Sequence, residues 1–259
     1  MKCLFDSLDE IKWRFNLPKS LLIMLDFDGT LAPLAITPAK AALPRSVRMK
    51  LLECSKYFSV VVISGRSLSD IKRKVGLKNI IYAGNHGLEW QIGKRKNRVS
   101  EPSGAKKLLN AAKRSFKKIE KNYPGVLLED KHLSLAIHFR NLDPILVPGL
   151  KRDINTIIKM INIFGTPQIL LSKKVIELRP KSNWNKGKFA LFIQEYLQNK
   201  LGIKFTPIYL GDDTTDEDVF SALRQKITIR VGQSKISQAK YYLKNVRQVE
   251  KFLDWLLKK

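Results

Sequence analysis

Residues 21–34, LLIMLDFDGTLAPL, constrain this chain more than any other segment. An unbroken apolar run leads up to Asp26, the pattern of a central parallel strand buried on both faces. Such a strand ends at the mouth of an α/β sheet, where ligands bind. Carboxylates crowded at that mouth repel each other unless a cation or positive side chains share the site. If the strand conformation runs on to residue 28, its period of two points Asp26 and Asp28 to the same side. The pair then serves as a nucleophile and a proton carrier, or as two metal ligands. An acidic turn after a strand is the plain alternative, because Asp-Gly is common in turns.

The rest of the chain predicts where that strand belongs. Residues 4–15 are amphipathic, 44–56 read as a helix with Pro44 suited to its first turn, and 58–63 (FSVVVI) form a second β-branched run. A short polar helix over 67–74 and a strand over 80–83 follow. This alternation implies parallel βαβ units in a doubly wound sheet. Residues 85–100 read as a hairpin and 103–121 as a helix. Strand signals at 126–131, 133–140, 168–171 and 174–179 then surround a helix near 144–163. Two strands per helix, without a buried parallel run, predict an antiparallel α+β insert. The βα rhythm resumes with helix 186–199, strand 206–210, helix 215–223, strand 226–231 and helix 246–257. The expected build is a Rossmann-like core over 1–102 and 180–259, interrupted by an α+β cap over 103–179.

Three further strand or helix ends carry chemistry that suits Asp26. VVVISGR delivers Ser64, Gly65 and Arg66 to the sheet edge, where a hydroxyl and freed backbone N–H groups can hold phosphoryl oxygens. A helix-capping serine is the alternative for Ser64. Asn183-Trp-Asn-Lys-Gly-Lys places lysine in the first turn of a helix, against the macrodipole, so an anion should compensate it. YLGDDTTDED at 209–218 follows a strand with a cluster of acids. Magnesium takes hard oxygen ligands, commonly one or two carboxylates plus substrate phosphate. Asp212, at the strand end, is the expected metal ligand, with Asp213 and Asp216 as supporting or water-mediated partners. Glu217 and Asp218 are explained by a helix N-terminus.

DFDGT, SGR, the Lys-Gly segment and GDDTTDED, in this order, resemble the haloacid dehalogenase superfamily of aspartate-nucleophile phosphatases. Cap segments narrow the resemblance to the trehalose-6-phosphate phosphatases: Glu129-x-Lys131, His138-x-Arg140 and Glu177-x-Arg179-Pro180. The resemblance covers essentially the whole chain. It implies Asp26 as the nucleophile, Asp28 as acid and then base, Ser64 on the transferring phosphate, and Lys186, which precedes a glycine, as the phosphate-holding lysine. It also implies Mg2+ held by Asp26, Asp212 and the Asp28 main-chain carbonyl. Thr30, Gly65 and Arg66 join the expected phosphate contacts. Glu129, Lys131, Arg140 and Glu177 are expected on the sugar hydroxyls, with cross-strand ion pairing as the alternative. Asn85-His-Gly-Leu-Glu matches another family segment, where His86 would support the site or act at a hinge.

The implied activity is Mg2+-dependent hydrolysis of trehalose 6-phosphate through an aspartyl-phosphate. Sucrose phosphate, mannosyl-3-phosphoglycerate or another phosphosugar is the alternative substrate. A catalytically silent sugar-phosphate sensor or a basic nucleic-acid-binding protein is the alternative class. The formal charge of +25 attracts anions in general. The lysines are spread along the whole chain without a zinc finger, RNP pattern or heptad array, so no specific nucleic acid is expected. No run of 18 apolar residues exists to span a membrane. Residues 1–15 lack the apolar run of a signal peptide. Cys3 and Cys54 are too few for a disulfide framework, so reduced thiols and a cytoplasmic location are expected. The histidines lack HExxH-type spacing, which disfavours zinc. The chain is expected to act as a monomer, with a separate trehalose-6-phosphate synthase as a candidate partner.

Overall fold

The computed structural model describes residues 1–12 and 20–258. The portion of the expected helix 4–15 that falls on 13–15 lies outside the described residues. In chain order the elements begin with β1 (Lys2–Cys3), α1 (Leu8–Ile11), β2 (Leu21–Leu25), α2 (Arg45–Tyr57), β3 (Ser59–Ile63), α3 (Leu68–Val75), β4 (Ile81–Gly84), β5 (Glu89–Ile92) and β6 (Arg95–Arg98). They continue with α4 (Ala105–Asn122), β7 (Leu127–Asp130), β8 (Leu135–His138), α5 (Val147–Ile161), β9 (Pro167–Ser172) and β10 (Val175–Pro180). The last are α6 (Lys186–Leu201), β11 (Thr206–Gly211), α7 (Glu217–Ala222), β12 (Ile227–Val231), β13 (Tyr241–Leu243) and α8 (Val246–Leu257). Two compact units result: Met1–Arg98 with Trp184–Lys259, here the core unit, and Val99–Asn183, the cap unit.

The core unit is built on a nine-stranded sheet of order β1-β13-β12-β11-β2-β3-β4-β5-β6. All neighbours are parallel except the β4–β5 and β5–β6 pairs. The chain runs outward from β2 through β3 and β4 on one side, and from β11 through β12 and β13 on the other. The β2–β11 seam is therefore the switch point, and the carboxyl ends of those strands form the crevice that binds ligands in such sheets. Every residue of β2 is buried, as its continuous apolar run requires. Leu21, Ile23 and Leu25 pack with Val47 and Leu51 of α2, Ile71 and Val75 of α3, and Val249, Phe252, Leu253 and Leu256 of α8. The last four follow helical i, i+3, i+4, i+7 spacing. Ser67 caps α3 by accepting the Asp70 N–H, and left-handed Gly76 closes it. Asn185 and Asn245 cap α6 and α8 in the same way.

The cap unit carries a four-stranded antiparallel sheet of order β7-β8-β10-β9. Leu135, Ile137, Ile176 and Leu178 point to one face and pack with Leu108, Ala112 and Phe116 of α4 and Leu150, Ile154 and Ile157 of α5. The alternate positions, Glu129, Ala136, His138, Glu177 and Arg179, form the opposite face. β8 is shorter than the strand expected over 133–140. The Lys131 N–H bonds the Ser134 carbonyl, and His132 adopts φ +68°, so residues 131–134 form the turn between β7 and β8. Among the described residues no helix is long and apolar enough to cross a membrane.

Candidate active site

β2 stops at Leu25, and the backbone then folds back on itself. The Asp26 N–H still reaches the Leu210 carbonyl of β11 (2.9 Å), but the Leu31 and Ala32 N–H groups both bond the Phe27 carbonyl and Gly29 adopts φ +77°. The regular strand on which a shared side for Asp26 and Asp28 is conditional therefore ends before Asp28. Their carboxylates take different partners.

Asp26 faces Lys186, whose Nζ lies 2.9 Å from Asp26 Oδ1 and 2.7 Å from Asp216 Oδ1. Asp216 is fully buried and also accepts the Tyr209 hydroxyl at 2.5 Å and the N–H groups of Asp212 and Asp213 at 2.8 and 2.9 Å. Asp212 packs over the Gly29 turn so closely that a Cβ at residue 29 would lie 2.2 Å from its Oδ2. Asp26, Asp212 and Asp216 each offer an oxygen, all within 4.8 Å of one another. Asp213 turns aside to cap residues 214–216 by accepting the Thr214 N–H at 2.8 Å.

Three buried carboxylates, Asp26, Asp212 and Asp216, share this cluster with the Lys186 ammonium. Burial pushes the Asp26 carboxyl well above the ordinary range; Lys186 opposes this, while Asp216 and Asp212 add to it. Burial alone would also raise Asp216, but Lys186, Tyr209 and the Asp213 N–H hold it below the ordinary value. Lys186 is held charged by Asp216 and Asp26 against the opposing effect of burial. A dication beside Asp26 and Asp212 would supply the missing positive charge, and hard carboxylate oxygens suit Mg2+. Thr30 adds a second indication: its fully buried Oγ1 has no hydrogen-bond partner among the described residues and is available to a polar ligand. The donor set fits Mg2+ and a phosphoryl group.

Ser64 sits at the end of β3, almost wholly buried, with its Oγ accepting the Arg66 N–H at 3.2 Å. Gly65 lies against the His86 ring, where a Cβ would stand 2.7 Å from Cε1. The Arg66 guanidinium is engaged by two carboxylates. Its Nε and Nη2 each lie 2.7 Å from an oxygen of Asp28, and Nη1 lies 2.7 Å from Asp70. A forked pair of this kind fixes the Asp28 carboxylate in orientation. Asn85 and His86 adopt φ +48° and +58°, and their N–H groups bond the Arg66 and Ser64 carbonyls. Left-handed residues in succession are costly outside glycine and persist where surroundings dictate them. Here Glu89 Oε1 accepts both Asn85 Nδ2 and the Leu68 N–H, and Trp184 Nε1 donates to the Gly87 carbonyl at 2.7 Å. Residues 85–89 thus wall the Ser64 turn from behind.

In the cap unit, Lys131 Nζ lies 2.6 Å from Glu177 Oε2 and both side chains are buried. Glu129 Oε2 lies 2.8 Å from His138 Nε2, and Arg179 Nε donates to Gln168 Oε1 at 2.9 Å. Arg140 stands apart: it lies beyond β8, exposed, with Nη2 3.4 Å from the Lys173 carbonyl. Sequence reasoning passed over Tyr209, Asp70, Glu89 and Trp184. Tyr209 carried a signal as a hydroxyl in the middle of an apolar strand, while Glu89 and Trp184 lay within segments singled out for His86 and Lys186.

Residues 24–247 match the family model described as trehalose-phosphatase. The chain is 32% identical to the probable trehalose-phosphate phosphatase G of Arabidopsis thaliana, over 93% of this chain and 69% of that protein. It is 32% identical to a trehalose-phosphate phosphatase of Mycobacterium marinum, over 78% of this chain and 51% of that protein. It therefore spans just over two thirds of the plant relative and about half of the bacterial one. In fold it resembles the C-terminal domain of the C. albicans trehalose-6-phosphate phosphatase, with a TM-score of 0.81, 24% identity and 96% of each chain covered. The chain belongs to the trehalose-phosphatase family of the haloacid dehalogenase superfamily and is a phosphoric monoester hydrolase.

Proposed function

We propose that this chain hydrolyses trehalose 6-phosphate to trehalose and phosphate, with Mg2+, through a phosphorylated Asp26. The observation that carries the reading is the Lys186 ammonium 2.9 Å from Asp26, with Asp212 in the same buried carboxylate cluster. Mg2+ held by Asp26, Asp212 and the Asp28 main-chain carbonyl would neutralise charge and polarise a phosphoryl oxygen. Lys186 favours ionised Asp26 and holds a second phosphoryl oxygen; Ser64 and Thr30 offer hydroxyls to the others. An Asp26 oxygen forms the new bond to phosphorus as the bond to the sugar oxygen breaks, and Asp28 gives its proton to that oxygen. Asp28 then takes a proton from water, whose oxygen attacks phosphorus and frees Asp26. In both steps Arg66 must give up part of its grip on Asp28.

Sugar choice is assigned to the polar face of the cap sheet, through Glu129, Lys131 and Glu177, with Arg140 at the end of the strand. Paired carboxylate and ammonium groups are apt donors and acceptors for neutral sugar hydroxyls. The test is phosphate release from trehalose 6-phosphate and glucose 6-phosphate, with Mg2+ and with chelator. Equal rates on the two esters would remove the substrate assignment. Undiminished turnover in chelator would remove the metal.

A further inference from the structure

Tyr209 occupies the centre of β11, paired with Met24 of β2 and Thr228 of β12 and flanked by the fully buried Ile208 and Leu210. An apolar side chain would satisfy that position. A hydroxyl there must find a partner, because an unbonded one buried in such surroundings is costly. The partner is Asp216 Oδ1, the same oxygen that accepts Lys186 Nζ. Oδ2 is occupied by the N–H groups of Asp212 and Asp213. A carboxylate has about four acceptor sites, so the tyrosine completes the set. Gly211 closes the other side, since a Cβ there would lie 2.4 Å from Asp216 Cγ. The ring is fixed edge-on to Phe220, with centroids 5.7 Å apart.

We propose that Tyr209 is a positioning residue of the phosphatase site: by sharing Asp216 Oδ1 with Lys186, its hydroxyl limits the pull of Asp216 and keeps the ammonium on Asp26. The saturated Asp216 is then a brace for Lys186 and for the Asp212–Asp213 backbone. Without the hydroxyl, Oδ1 draws Lys186 away from Asp26, and the charge that meets the phosphoryl oxygens in the transition state is displaced. Ground-state binding of the sugar is untouched.

This inference rests on the phosphatase reading above, and its test separates the two. In Mg2+ buffer, Tyr209→Phe should keep the wild-type circular dichroism and lower kcat by about tenfold, less than the loss of a donor that touches the reacting group itself. KM should stay within about twofold, and calorimetric affinity for orthovanadate, a mimic of the transition state, should fall in step with kcat. The control is Tyr82→Phe, which removes a buried hydroxyl that donates to the Leu77 carbonyl outside the site; its kcat and vanadate affinity should match wild type. A second measurement does not depend on the variant folding: with fluorotyrosine incorporated, the fluorine resonance of residue 209 should shift on vanadate addition while that of residue 82 stays. A Tyr209→Phe protein with wild-type kcat and vanadate affinity, a pure KM effect, equal losses in Tyr82→Phe, or an unmoved resonance at 209 would each overturn the proposal. Wild type that neither releases phosphate from any ester nor binds vanadate would instead overturn the phosphatase reading.

Discussion

The two units bury charge in opposite ways. In the core unit one ammonium, Lys186, serves two carboxylates while a third stands beside them. In the cap unit the buried Lys131 pairs with Glu177, and Glu129 meets His138. Crowded buried negative charge is costly unless something positive joins it, which is the part the proposed Mg2+ would play. A matched pair needs no further charge and offers only directional donors and acceptors. Under the proposed function, the unbalanced cluster suits the ionic part of a sugar phosphate and the paired groups suit its neutral hydroxyls.

The largest effects should come from disturbing the unbalanced site. Asp26→Asn removes the proposed nucleophile and should take turnover down by at least about 10⁴-fold in a phosphate-release assay, with folding retained by circular dichroism; residual turnover at a tenth of wild type would refute the assignment. Gly29→Ala forces a Cβ onto the Asp212 carboxylate at a residue with positive φ. It should abolish the Mg2+-dependent rise in melting temperature as well as activity, and an unchanged Mg2+ response would contradict the place given to Asp212.

Disturbing the matched pair should act on recognition alone. Glu177→Gln leaves Lys131 facing an amide and should raise KM for trehalose 6-phosphate by about 10- to 100-fold, the scale expected when a site's buried polar groups lose their pairing. Hydrolysis of p-nitrophenyl phosphate, which has no sugar, should be unaffected; a parallel loss there would erase the division of labour. The smallest effect is expected at an exposed pair of the same unit, Lys113–Asp130, 2.7 Å apart. Burial alone would raise the Asp130 carboxyl, but Lys113 and the His132 N–H hold it below its ordinary value. Its contribution is therefore present above the unfolded-state pKa and lost as pH falls through the native one. Asp130→Asn should cost less than about 1 kcal/mol at neutral pH in urea unfolding, and nothing at the acid end, where both proteins carry a neutral side chain.

What the linear chain determined by itself was local: the buried run of β2, the first-turn place of Lys186, and the polar alternation around Glu129 and Glu177. These follow from periodicity over a few neighbouring residues. The two- and three-residue strands β1 and β13 went unread because so few residues show no period. Side-chain partnership was decided only by the tertiary structure. Lys186 meets Asp26 across 160 positions and Arg66 meets Asp28 across 38. The turn after Leu25 sends the two aspartates to different cations, which strand alternation cannot anticipate. Tyr209 is the sharpest instance. Its partner Asp216 is near in the chain, yet its role depends on Lys186 arriving from another element to share one oxygen. Hydrogen bonding is settled by where atoms converge, and convergence is a property of the packed sheet.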